Sequence, residues 1–107
     1  MERHGSVLKV KPGMLEEYKR YHRNVWPEIL DTIRKCNICN YSIYHKDGYL
    51  FSYFEYHGID FTSDMERMAA DPKTREWWAI MKPMQQPLET RVGNEWWSEM
   101  EEVFHTE

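Results

Sequence analysis

Ile38-Cys39-Asn40-Tyr41-Ser42-Ile43-Tyr44-His45 and Tyr49-Leu50-Phe51-Ser52-Tyr53-Phe54-Glu55-Tyr56, joined by Lys46-Asp47-Gly48, decide the fold. Both runs are rich in Tyr, Ile and Phe, and Asp-Gly between such runs is a strong hairpin signal. Alternation places Cys39, Tyr41 and Ile43 on one face of the first strand, with Ile38 and Tyr44 on the other. In the second strand Leu50, Phe54 and Tyr56 alternate with Tyr49, Phe51 and Tyr53. A sheet with one solvated face shows cleaner polar alternation than this. Two apolar faces need two covers: helices on one side, and on the other a second copy of the same sheet.

Upstream, Ser6-Val7-Leu8-Lys9-Val10 reads as a strand that Pro12-Gly13 ends. From Met14 onward apolar residues recur at helical spacing through Tyr18, His22, Trp26, Ile29 and Ile33. Pro27 interrupts the stripe, so a helix to about residue 24 and a second helical piece to Lys35 are expected. Downstream, Asp60 to Ala70 fits a helix capped by Thr62 or Ser63. Asp71-Pro72 opens another helix, which carries Trp77, Trp78, Ile80 and Met81 to about Lys82. Pro83, Pro87 and Gly93 mark a loop, and Glu99 to His105 forms the expected last strand. The order strand, helix, strand, strand, helix, strand predicts one α+β domain over residues 1–107. Its sheet is ferredoxin-like and antiparallel with helices on one face, and sheet-to-sheet packing makes a dimeric α/β barrel.

With 14 Lys and Arg against 18 Asp and Glu, the net charge of −4 argues against a nucleic-acid partner. No apolar run approaches the length of a membrane span, and the N-terminus lacks a signal-type stretch. A cytoplasmic, membrane-free location is expected. The only cysteines, Cys36 and Cys39, fall where a helix ends, the wrong polarity for a redox pair. No second pair is present to complete a zinc site. They read as ordinary small residues.

Tyr18 and His22 are four apart on the apolar stripe of the first helix and therefore share a face. An imidazole can carry a proton near neutral pH, and a phenol beside it can give or take a hydrogen bond. The same spacing suits an aromatic core stripe. Tyr41 sits mid-strand, and spacing leaves open whether it faces the helices. Trp77 and Trp78 are about 100° apart on their helix, so one can pack in the core while the other lines a pocket. Trp96-Trp97 read as a dimer or lid contact. His4, His45, His57 and His105 lack metal-ligand spacing and read as surface residues, so no metal site is expected.

The stretch Glu16-Glu17-Tyr18-Lys19-Arg20-Tyr21-His22-Arg23-Asn24-Val25-Trp26-Pro27-Glu28 resembles the first-helix motif of the L-rhamnose mutarotase family. So do Asn40-Tyr41-Ser42-Ile43-Tyr44, Trp77-Trp78 with Met81, and Glu102-Val103-Phe104. The similarity runs in order over nearly the whole chain. It implies a cofactor-free isomerase, dimeric through its sheets, that interconverts the α and β pyranose forms of a 6-deoxy L-sugar, L-rhamnose before L-fucose. By the same resemblance His22 is the catalytic proton donor, and Tyr18, Tyr41, Trp77 and Trp78 contact the sugar. His22 would protonate the ring oxygen while Tyr18 assists at O1. Residues 84–97 depart from the family pattern and would remodel the pocket mouth. Rival readings on the same topology are a haem-binding or monooxygenase-type barrel, with His22 as a haem ligand, and a non-catalytic sugar-binding module. A haemin absorption spectrum tests the first rival, and sugar binding without anomer exchange marks the second.

Overall fold

A computed structural model describes all residues, Met1–Glu107. The chain runs β1 (Glu2–Val10), α1 (Leu15–His22), α2 (Pro27–Lys35), β2 (Ile38–Lys46), β3 (Tyr49–Tyr56), α3 (Phe61–Ala70), α4 (Pro72–Met81), a 3₁₀ turn (Lys82–Met84), β4 (Gln85–Gln86) and β5 (Ser98–Glu99). The hairpin forms as the sequence reading expects. Asp47 and Gly48 take φ of 52° and 83°, the double positive pattern of a type I′ turn, which favours Asp-Gly.

β1 pairs antiparallel with β3 from Glu2↔Tyr56 to Lys9↔Tyr49. Sheet order is β2-β3-β1-β4, and β5 also lies on β1, opposite Ser6 and Val7. This is the anticipated ferredoxin-like α+β arrangement, with each single helix of the simple pattern split in two. The first split lies at Trp26-Pro27. Trp26 is extended at ψ 136°, as a residue before proline prefers, and Pro27 opens α2. α1 itself stops at His22, short of residue 24. The second split is at Asp71, whose side chain accepts from the Thr74 amide at 2.9 Å and caps α4.

The pleat sorts side chains to two sides. Leu8, fully buried, and Leu50, 2% exposed, join Tyr18, Ile29, Trp77, Met81 and Met84 in a core beneath the helices. Each aliphatic side chain so buried contributes about 1.5–3 kcal/mol of transfer free energy. Tyr49, Phe51 and Tyr53 occupy the other face of β3, beside Tyr44, which leaves 67% of its surface open. No helix is long and apolar enough to cross a membrane.

Four expectations need correction. The shared face of Cys39 with Tyr41 and Ile43 fails because β2 carries a bulge between Cys39 and Ser42, where Asn40 adopts φ 49°. Cys39 pairs with Glu55, whereas Ile43 pairs with Ser52, so the extra residue moves Cys39 to the opposite face. The cap of α3 is Asp60, which accepts from the Ser63 amide at 3.1 Å, rather than Thr62 or Ser63. A carboxylate two residues before Thr62 and three before Ser63 reaches the orphan amide first. The last strand shrinks to Ser98–Glu99, while a short strand at Gln85–Gln86 arises inside the expected loop. Finally, His4 is no simple surface residue: it stacks 4.2 Å from Phe61 and 5.1 Å from Phe54, with Glu99 and Glu2 on its two ring nitrogens.

Candidate active site

α1 places Tyr18 and His22 one turn apart, and both turn inward because the apolar stripe of the helix packs on the sheet. Their rings lie 4.3 Å apart. His22 Nδ1 is 2.8 Å from the Tyr18 carbonyl oxygen. A carbonyl only accepts, so Nδ1 carries hydrogen and donates, and Nε2 is the ring nitrogen left for a ligand. Burial lowers the His22 pKa below its ordinary value, against a smaller upward pull from that carbonyl. The imidazole is therefore neutral near pH 7, with a lone pair on Nε2. An open depression bounded by Lys19, His22 and Arg23 gives the ring a path to solvent.

Trp77 stands edge-on to His22 at 5.6 Å, to Tyr21 at 6.0 Å and to Trp26 at 5.1 Å, and is 6% exposed. It is the core member of the doublet, and it braces the catalytic candidate from behind. Trp78, partly buried, is the outward member. The Lys82 ammonium sits 5.7 Å from the Trp78 ring and 5.4 Å from the Trp96 ring, bridging two indoles through cation–π attraction.

Tyr41 reaches the same side of the sheet through the bulge, 5.5 Å from Phe54. As a residue it leaves 41% of its surface open, yet its hydroxyl end is desolvated. That burial pushes its phenol up to about 12, and the nearby Tyr18 phenol adds a second upward contribution. Tyr41 thus stays protonated at any physiological pH.

Two further residues join the site: Gln85, which the sequence did not mark, and Trp96, expected as a dimer or lid contact. Gln85, 5% exposed, donates through Nε2 to the Tyr18 hydroxyl at 3.0 Å. Its Oε1 accepts from Trp96 Nε1 at 2.8 Å. Trp96 and Trp97 pack against the core of their own chain rather than standing out as a lid. The signal that could have found them was the indole doublet in a polar, Pro- and Gly-marked segment. Nothing local marked Gln85.

His22 thus links Tyr18 on one side to Trp77 on the other, Tyr41 packs against Phe54, and the Lys82 ammonium lies over both Trp78 and Trp96. On the opposite sheet face Cys39, Glu55 and His57 bring ligand atoms within 4.8 Å of one another, a grouping made across two strands that chain spacing hides. It shares no residue with the site around His22.

The model of a family described as L-rhamnose mutarotase matches residues 3–106. A protein of Sinorhizobium fredii named L-rhamnose mutarotase is 32% identical over 100 residues, spanning 89% of this chain and 88% of its own. Among solved structures, an L-rhamnose mutarotase from Formosa agariphila superposes with a TM-score of 0.78 at 23% identity, over 100% of both chains. Tetracenomycin F2 cyclase from Streptomyces glaucescens superposes with a TM-score of 0.67 at 14% identity, over 99% of this chain and 96% of its own. At those identities the two structures speak for the fold alone, and the second is named for a different reaction.

Proposed function

The chain belongs to the L-rhamnose mutarotase family, and we propose that it interconverts the α and β pyranose anomers of L-rhamnose by proton transfer through His22. It is an isomerase. The observation that carries the residue assignment is the commitment of His22 Nδ1 to the Tyr18 carbonyl, which leaves a single free nitrogen on a ring centred 4.3 Å from that of Tyr18.

A pyranose is a hemiacetal, and its anomers exchange through the open aldehyde. Neutral Nε2 takes the proton from O1 as the C1–ring-oxygen bond breaks. The imidazolium so formed delivers that proton to the ring oxygen, so His22 serves as acceptor and then as donor. C1–C2 rotation presents the other face of the aldehyde, and the same steps in reverse close the ring. General acid–base help of this kind contributes roughly 10²–10⁴-fold, enough for a reaction that also runs in water. Tyr18 and Tyr41 supply hydrogen bonds to sugar oxygens. Trp78, the outward member of the doublet, offers apolar surface to the C–H face and the 6-methyl group of a deoxy sugar, with Trp77 behind His22. L-Fucose, also a 6-deoxy L-sugar, is the second candidate substrate.

Saturation-transfer NMR between anomer signals tests this reading. Transfer with L-rhamnose that disappears in His22→Ala is the expected result. Absence of transfer with L-rhamnose, L-fucose and D-glucose alike would remove the function.

The working form is a homodimer in this reading. Val7, Tyr44, Tyr49, Phe51 and Tyr53 share the sheet face that no helix covers, and an apolar face of that kind favours a second copy. Cys36 and Cys39 are unpaired, which suits the reducing cytoplasm.

A further inference from the structure

Trp96 sets the direction of the hydrogen bond between Gln85 and the Tyr18 hydroxyl. An indole N–H can only donate. The Gln85 atom 2.8 Å from Trp96 Nε1 must therefore be the amide oxygen, which removes the usual ambiguity between the two ends of a side-chain amide. The Gln85 NH₂ end then faces Tyr18 and donates to its oxygen at 3.0 Å. Tyr18 is only 4% exposed, so water does not compete for this arrangement. With an incoming bond fixed on the oxygen, the phenol proton is free to point elsewhere, and His22, its ring 4.3 Å from that of Tyr18 and at the edge of an open depression, marks where the pocket lies.

We infer that Gln85, locked by Trp96, is a positioning residue that makes Tyr18 a one-way hydrogen-bond donor to the sugar oxygen that gathers negative charge during ring opening. Tyr18 is then no base at O1, and His22 Nε2 is the acceptor that step requires. An incoming amide bond also polarises the phenol and strengthens its outgoing bond. Residues 84–97, which the sequence sets apart from the family motif, would acquire a purpose here. The segment supplies both members of the lock, and the Lys82 ammonium lies over both the Trp96 and Trp78 rings, which helps the lock hold its shape.

This inference rests on Tyr18 contacting the sugar as proposed above, and Gln85→Glu separates the two ideas. A carboxylate of nearly the same shape keeps the bond from Trp96 but cannot donate to Tyr18. The phenol must turn its proton toward the carboxylate and present a lone pair to the sugar. The expected result is a loss of about tenfold or more in kcat with KM nearly unchanged, the mark of an interaction made in the transition state. Gln85→Leu and Trp96→Phe, which remove the donor and its lock, should lose activity in the same direction. Independently of activity, ¹³C-labelled tyrosine, with the Tyr18 signal assigned from Tyr18→Phe, should titrate at higher pH in Gln85→Glu and Gln85→Leu than in the native chain. Unchanged kcat in Gln85→Glu, a loss confined to KM, or an unmoved Tyr18 titration would each overturn the inference. A native chain that accelerates no anomer exchange defeats the mutarotase reading instead, and the titration still decides the direction of the bond.

Discussion

The proton-carrying role proposed for His22 rests on a helix position rather than on a charged partner. The i, i+4 step onto the Tyr18 carbonyl orients the ring, and burial keeps it neutral. A neutral histidine must accept before it gives. Activity should therefore fall on acidification, with kcat/KM losing its basic form through a value below the ordinary 6.5 and staying level above it. A pH–rate profile that rises on acidification contradicts the assignment. The same depression has a stability consequence. Below 6.5 the unfolded chain takes up a proton that folded His22 resists, so stability is full above that pH and declines as pH falls through the depressed value. His22→Ala should slow anomer exchange by roughly 10²–10⁴-fold while the fold persists, as judged by circular dichroism. Tyr18 and His22 were legible in the sequence because four-residue spacing survives any tertiary detail. Tyr41 was legible as a candidate but not in its orientation, because one inserted residue reverses a strand's faces.

At the scale of elements, the bulge in β2 makes that reversal. Asn40 holds φ 49°, a left-handed value that Asn tolerates, and its amide donates to Glu55 at 2.7 Å. Deleting Asn40 should restore simple pairing and flip either Tyr41 or Cys39 to the other side of the sheet. The expected outcome is a hairpin still visible by NMR, with sugar binding lost. Helix caps are simpler levers. Asp60→Ala removes the bond to the Ser63 amide and should cost about 1 kcal/mol in thermal or denaturant unfolding. The joints between elements carry more than single caps. Asp64 receives hydrogen bonds from the Tyr56 hydroxyl, Asn37 and Arg67, tying β3 to α3 and to the α2–β2 corner. Those bonds hold its carboxyl below the usual aspartate range, the Tyr56 bond most of all, so the joint weakens only in strong acid. Hairpin and helix breaks were readable because Asp-Gly and X-Pro act locally. The retreat of the last strand to Ser98–Glu99, and the docking of Trp96 on Gln85, depend on how a long segment closes over the core. No local pattern encodes that.

Taken whole, the molecule is a sheet with two unlike sides, and substitutions on them should have unlike effects. Leu8→Ala, beneath the helices at 0% exposure, should destabilise the fold by about 2–5 kcal/mol in denaturant unfolding. Phe51→Lys, on the bare side, should leave unfolding nearly unchanged yet split the proposed dimer, seen as a halved mass in sedimentation velocity. A native chain that sediments as a monomer would show instead that this face works uncovered. Within β3, Leu50, Ser52, Phe54 and Tyr56 answer to the helices and the sugar pocket, while Tyr49, Phe51, Tyr53 and Glu55 answer to whatever meets the other side. Alternate codons of one eight-residue stretch thus answer to separate demands, so the partner-facing set could be rewritten without touching the chemistry. The bulge is the exception to this bookkeeping by parity: there a single-codon insertion or deletion reassigns residues from one inheritance to the other.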